Sequence, residues 1–215
     1  MAGTLLLDLD DTLLANPMEQ FLPGYFKGIG LALQQFAPPE QVVKALLDGT
    51  QKMVENRQVD RTLLEVFYAY FYPALGAAPG SMRADIERFY AEDFPALRST
   101  SRAKPEAIAF VQQAFAAGYT LAVATNPLFP ATAIRQRLEW AGLSPDTLPF
   151  TVISSNEDFH FCKPNPAYYT EMLARLGWPE GPVVMLGDDL EMDIAPTRRL
   201  GLAAYWVPVD RNPMP

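Results

Sequence analysis

From Lys104 onward the chain repeats one pattern: a helical stretch, a glycine and a short apolar run. Lys104-Pro105-Glu106 opens a helix with proline at its first position, Gly118 closes it, and the run 120–125 follows as a strand. The pattern recurs as a helix at 131–141, Gly142 and a strand at 150–154. It recurs again as a helix at 166–176, Gly177 and a strand at 182–186, and once more as a helix at 192–200, Gly201 and a strand at 202–207. Residues 4–7 read as a further strand, apolar enough to be buried on both faces. Helices alternating with short apolar strands predict a parallel sheet covered on both sides. The expected fold is α/β, with a doubly wound (Rossmann-like) five-stranded parallel sheet.

Between the first strand and the first of these units lies a block with helical periodicity and no convincing strand. Helices are expected near 19–36, 39–55, 60–75 and 81–91, punctuated by Pro38-Pro39, by Gly76 with Pro79-Gly80, and by Pro95. Pro23 and Gly24 are expected to break or kink the first of them. Gly28-Ile29-Gly30 lacks both a third glycine and a preceding strand, so it reads as a local helix break rather than a dinucleotide fingerprint. The aromatic run 67–72 reads as a buried helix of the helical block; the lesser alternative is that some of its rings line a substrate cavity. The expected organisation is an α/β core of residues 1–15 plus 102–215 carrying an inserted all-helical cap subdomain, 16–101. The crossings near 15–17 and 100–104 are hinge candidates.

Composition narrows the function classes. A hydrophobic content of 49% and a charged content of 20% over 215 residues describe an ordinary globule that needs no staples. A net charge of −8 argues against a nucleic-acid partner. No apolar run approaches 18 residues and no signal-peptide pattern is present, so no membrane association is expected and cytoplasmic localisation is the default. One cysteine, Cys162, permits no internal disulfide, and one histidine, His160, permits no histidine-rich zinc site. Both read as incidental loop residues beside Lys163. Oligomeric state is not legible.

In open parallel sheets ligands bind beyond the carboxyl ends of the strands. The first strand ends in Asp8, Asp10, Asp11 and Thr12; the next regular one ends in Thr125-Asn126. The fourth ends in Gly187-Asp188-Asp189, followed by Glu191 and Asp193, and Lys163-Pro164 stands ahead of the third regular helix. Three carboxylates within residues 8–11 repel one another and need a cation, a proton or a donor. Hard oxygen ligands suit Mg²⁺. On that stretch alone, an acidic turn leaving the core is an equal reading.

D-x-D-x-T at residues 8–12, the strand ending in Thr125, the lysine of Lys163-Pro164 and G-D-x-x-x-x-D at residues 187–193 together resemble the four motifs of the haloacid dehalogenase (HAD) superfamily. The helical insertion resembles that family's C1 cap. The resemblance implies a Mg²⁺-dependent phosphatase acting on a small phosphorylated metabolite through an aspartyl-phosphate. Asp8 is then the nucleophile and Asp10 the acid/base. Asp8, Asp188 and the backbone carbonyl of Asp10 would hold Mg²⁺, supported by Thr12, Asp189 and Asp193. Lys163, Thr125 and the backbone N–H groups near Leu9, Asp10 and Asn126 would hold the phosphoryl oxygens. A cis Lys163–Pro164 bond is also implied. Asp10 argues against a dehalogenase, because a halide leaving group needs no proton. A phosphomutase on the same core and a non-catalytic phospho-ligand-binding relative are the alternatives. The cap lacks the histidine of the β-phosphoglucomutase branch, and the acids that non-catalytic relatives lose are intact. Lys52, Arg57, Arg61 and Tyr68 are cap candidates for reading the leaving group. Sugar phosphates, phosphoglycolate and nucleoside monophosphates all stay open as substrates.

Overall fold

The computed structural model describes residues 3–209. Strand β1 (Thr4–Leu7) leads through one helical turn into a two-residue strand, β2 (Leu14–Ala15). The helical block follows: α1 (Met18–Ala32), α2 (Pro39–Glu55), α3 (Leu63–Ala74) and α4 (Arg83–Arg88). A wide π-type turn (Phe89–Asp93) and a tight 3-10 segment (Phe94–Thr100) prolong α4 beyond the expected end at 91. The chain returns through β3 (Arg102–Ala103), which pairs antiparallel with β2, Leu14 opposite Ala103 and Ala15 opposite Arg102. Then come α5 (Pro105–Ala116), β4 (Thr120–Val123), α6 (Ala131–Trp140), β5 (Val152–Ile153), α7 (Pro166–Arg175), β6 (Val183–Gly187), α8 (Ala195–Arg199) and β7 (Ala203–Trp206).

The five long-range strands form one parallel sheet in the order β5-β4-β1-β6-β7, with β1 at its centre. The period of two is visible in β1. Leu5 and Leu7 join Val111 of α5 and Ile134 of α6 in one cluster, while Leu6 joins Tyr168 and Met172 of α7 in another. Helices therefore cover both faces, as the alternation requires. Each of the four helix-to-strand glycines is left-handed, with φ of 81°, 75°, 74° and 76° at Gly118, Gly142, Gly177 and Gly201. The register matters for the site. Leu7 is paired with Val123 on one side and Leu186 on the other, so Asp8, Ala124 and Gly187 leave the sheet side by side.

Several expectations are corrected. Helix α1 runs unbroken through Pro23 and Gly24. Pro23 forgoes the bond its nitrogen would have made to the Glu19 carbonyl, yet the helix continues past it. Gly28 and Gly30 are points of close approach within α1 rather than a break: a Cβ at Gly28 would sit 2.8 Å from the Phe89 ring, and one at Gly30 would sit 3.1 Å from Pro39. Helix α3 begins at Leu63 rather than at 60, because Thr62 and Glu65 form a capping box, with Glu65 N donating to Thr62 Oγ1 at 3.3 Å and Thr62 N to Glu65 Oε2 at 2.8 Å. The last helix is shorter than 192–200: a π-type turn (Leu190–Ile194) precedes α8. Asp189 starts that turn by accepting from Glu191 N at 2.8 Å and Met192 N at 2.9 Å.

The helical block is seated on the sheet by apolar contacts and by backbone bonds. Phe94 stacks on Trp140 of α6 with centroids 5.3 Å apart, and Tyr25 meets Phe129 edge-on at 5.2 Å. The start of α3 docks on the loop after β5, Leu63 N donating to Phe159 O and Leu64 N to Asn156 O, each at 2.8 Å. Among the described residues, no helix is long and apolar enough to cross a membrane.

Candidate active site

Asp8 is the first residue past the central strand, and it is buried. Its Oδ1 accepts from Lys163 Nζ at 2.8 Å, and the same ammonium donates to Asp193 Oδ1 at 2.6 Å. Lys163 is 2% exposed, so both bonds lie out of water, where charge-assisted bonds are strong. Its backbone N–H donates to Asn126 Oδ1 at 3.2 Å, and its peptide bond to Pro164 is cis, as expected. The β6 end supplies Asp188, whose Oδ1 accepts from Thr12 Oγ1 at 3.3 Å. Gly187 is dictated by this packing, because a Cβ there would overlap the Asp193 carboxylate. Thr125 is 3% exposed, and its carbonyl accepts from Ser154 Oγ and Tyr168 Oη, both at 2.8 Å, which fixes the end of β4.

Asp8, Asp188 and Asp193 each present a carboxylate oxygen within 4.8 Å of the others. One ammonium does not balance three acids. Burial pushes the Asp8 carboxyl up to about 7 despite the opposing pull of Lys163, with Asp193 adding to the rise. Burial, then Asp193 and Asp11, push Asp188 up to about 6. Burial works against the Lys163 ammonium, but Asp8 and Asp193 outweigh it and hold its pKa well above the ordinary lysine range. A buried, over-acidic set of hard oxygen donors fits a small divalent cation and does not fit a soft one.

Not every expected residue meets at this point. Leu9 is fully buried and begins the helical turn after β1, its carbonyl accepting from Leu13 N at 2.9 Å and Leu14 N at 3.0 Å. Asp10, in that turn, is engaged by other partners. Asp10 Oδ2 accepts from Arg137 Nη1 at 2.6 Å, and its Oδ1 accepts from Asn16 Nδ2 at 2.8 Å. Asp11 is a turn residue with φ of 58°, its Oδ1 capping Asn16 N at 2.9 Å. Asp189 is exposed and serves as the helix cap described above. His160 is bound to Glu171, Nδ1 to Oε1 at 2.8 Å, and Cys162 is 1% exposed with burial pushing its thiol up to about 12. Of the cap candidates, Tyr68 lines a cavity between the helical block and the core. Lys52 pairs with Glu55, Arg57 bonds the carbonyls of Val54 and Asn56, and Arg61 is exposed.

Arg137 and Asn16 were not anticipated. Arg137 is 1% exposed, lies 4.6 Å from the centroid of the Phe129 ring, and leaves its Nε and Nη2 without a partner. The signal was present: Arg137 stands on the stripe Ile134, Leu138, Ala141 that α6 turns toward the core, where a charge needs a partner.

A family model of haloacid dehalogenase-like hydrolases matches residues 3–201. A phosphoserine phosphatase of Thermus thermophilus is 30% identical over 132 residues, 61% of this chain and 49% of that protein. The chain thus spans about half the length of that curated relative. The putative HAD-hydrolase YfnB from Bacillus subtilis, bound to magnesium, superposes with a TM-score of 0.57 at 22% identity, covering 100% of this chain and 92% of that one. A 2-haloacid dehalogenase from Pseudomonas syringae pv. tomato superposes with a TM-score of 0.59 at 22% identity, covering 99% and 92%. These two likenesses speak for the fold. With its motifs at the strand ends and the family model spanning nearly all of its length, this chain belongs to the haloacid dehalogenase-like hydrolase family.

Proposed function

We propose that this chain is a Mg²⁺-dependent phosphatase that hydrolyses the phosphate monoester of a small metabolite. The observation that carries the reading is Asp8 held by Lys163 at 2.8 Å inside a cluster of three carboxylates. A phosphate monoester is an anion, and a carboxylate approaches it only where charge is neutralised. Asp8, Asp188 and the Asp10 carbonyl would hold Mg²⁺, which when bound supplies part of that neutralisation. Lys163, the Thr125 hydroxyl and the N–H groups of Leu9, Asp10 and Asn126 would hold the phosphoryl oxygens. Asp193 keeps Lys163 in place, and Thr12 orients Asp188.

An Asp8 oxygen attacks phosphorus, and the bond from phosphorus to the leaving oxygen breaks. Asp10 delivers the proton that makes the leaving group an alcohol. Water then attacks the aspartyl-phosphate at phosphorus, Asp10 takes the water's proton, and phosphate departs with Asp8 restored. For the first of these steps Asp10 turns from Arg137 and Asn16 toward the leaving oxygen. The phosphoserine phosphatase relative and the magnesium-bound neighbour support this reading. The dehalogenase neighbour shares the fold, but a halide needs no proton, and the acid at position 10 favours an oxygen leaving group.

Asp8→Asn is the direct test. Turnover of acetyl phosphate with Mg²⁺ should fall by roughly a thousandfold or more, with the far-UV circular dichroism unchanged. Retention of a tenth of the wild-type rate would show that Asp8 is not the nucleophile. Chelation of divalent ions should abolish wild-type turnover, and added Mg²⁺ should restore it.

A further inference from the structure

A cavity of about 560 Å³ lies between the helical block and the loops that leave β4 and β5. Its walls are mostly apolar: Ile29, Leu46, Phe67, Phe71 and Tyr90 from the block, and Leu128 from the core. Leu128 belongs to the loop that begins with Thr125 and Asn126, and its N–H donates to Asn126 O at 2.8 Å. The cavity and the phosphoryl site therefore share one loop.

Most polar groups around it are already engaged. The hydroxyls of Tyr25 and Tyr90 lie 2.8 Å apart and share a hydrogen bond. Glu65 is spent on its capping box, and Glu157 accepts from Ala131 N at 2.9 Å. Arg83, the one cation among the described lining residues, pairs through Nε with Glu87 at 2.8 Å, with side chains 74% and 65% exposed. Four lining residues make no side-chain hydrogen bond among the described residues: Thr50, Tyr68, Thr132 and Asn156, the last of them 6% exposed.

We propose that this cavity receives the leaving group of the phosphate monoester, and that the leaving group is an alcohol carrying an apolar body of aromatic size. The proposal rests on the phosphatase reading above. A carboxylate or a second phosphate entering these walls meets Arg83, already shared with Glu87, and is otherwise desolvated against apolar side chains. A sugar would turn several of its hydroxyls against Ile29, Leu46, Phe67 and Phe71, where they lose water without a partner. A two- or three-carbon acid leaves most of the volume empty, whereas an aromatic body fills it and buries apolar surface against Phe67 and Phe71.

The test is turnover by the full chain with Mg²⁺. The substrates are 2-phenylethyl phosphate, 2-(4-hydroxyphenyl)ethyl phosphate, glucose 6-phosphate, phosphoglycolate and acetyl phosphate. The two arylethyl esters are esters of primary alcohols, like glucose 6-phosphate, so leaving-group reactivity does not bias the comparison. We expect kcat/KM for them at least tenfold above glucose 6-phosphate and phosphoglycolate. Thr50→Phe fills the cavity from α2, and Thr132→Phe fills it from α6, where the side chain is exposed and the fold is spared. Either should raise KM for the arylethyl esters at least fivefold and leave acetyl phosphate, too small to reach the cavity, within twofold. Equal or better turnover of glucose 6-phosphate or phosphoglycolate overturns the proposal, as does an unchanged KM in both variants. Acetyl phosphate turnover without an aryl preference sinks the cavity assignment alone. No turnover of any ester sinks the phosphatase reading and this proposal with it.

Discussion

Asp8 and Asp10 stand two residues apart and meet different partners, because a helical turn intervenes after β1. Asp8 faces Lys163; Asp10 faces Arg137, which is buried, while Asp10 keeps a quarter of its side chain in solvent. Removing one partner of a largely buried ion pair leaves the other uncompensated. Arg137→Met should therefore destabilise the fold by about 2–3 kcal/mol in urea unfolding, and Asp10→Asn in the same chain should recover part of the loss. Additive losses would mean that the two residues do not interact. The acids also set a pH dependence. Burial raises Asp8 from 3.8 to about 7 and Asp188 from 3.8 to about 6, so the folded chain keeps protons that the unfolded chain has already lost. The stability this confers is complete below the unfolded value and is lost as pH climbs through 6 and 7. In chelator the Tm should fall between pH 5 and pH 8, and Mg²⁺ should raise it more at pH 8 than at pH 5. A larger Mg²⁺ effect at pH 5 would contradict the cluster's charge state. At this scale the strand-end acids and Lys163 were legible because their chemistry is unusual at a strand end. The aim of the Asp10 side chain was not, because it depends on a turn whose geometry the residue pattern does not reveal.

The helix–glycine–strand units were legible as elements because each carries its own stop signal. Helix α1 was less so: two glycines and a proline read as weakness, and only the packing shows that the glycines are contact points. Gly28→Ala separates these readings. Alanine is the better helix former, by about 1 kcal/mol, but its Cβ would press on the Phe89 ring, which is 1% exposed and has nowhere to go. A net loss of about 1 kcal/mol or more is expected on thermal unfolding, where a free helix surface would show a gain. The block's attachment is also a matter of elements. It enters and leaves through the β2–β3 ribbon and rests on the core through the amides of Leu63 and Leu64. If the block moves as a lid over the site, these two amides should exchange with solvent at least tenfold faster than Ala124 N, which bonds Leu7 O inside the sheet. Equal protection would mean that the block is fixed.

At the scale of the whole molecule, the helical segment reads from sequence as an insertion, yet the apolar core does not stop at its edge. One cluster runs from Phe21 and Tyr25 of α1 through Phe94 to Ile134, Leu138 and Trp140 of α6 and on to Leu5 and Leu7 of β1. The second joins Met53 and Leu63 of the block to Phe159 and Tyr168 of the core. Residue patterns along a chain report which faces are apolar but not which of them meet, so this continuity was out of reach before the fold. It has a consequence for excision. Ala15 and Arg102 are neighbours across an antiparallel pair, so an Asn-Gly turn could join them and delete the block without disturbing the sheet's connections. Geometry alone would favour a stable remnant. Packing favours the opposite: Phe129, Ile134, Trp140 and Phe159 would lose their cover, a loss on the order of 6–12 kcal/mol at 1.5–3 kcal/mol for each large side chain. That is comparable to the whole stability of a domain, which lies at about 5–15 kcal/mol. The excised variant should bind a hydrophobic dye strongly, self-associate on size-exclusion chromatography and melt without a cooperative transition. A monomer that melts cooperatively within a few degrees of the full chain would show instead that the sheet and its helices are self-sufficient, and that the shared clusters serve the closure of the site rather than the stability of the fold.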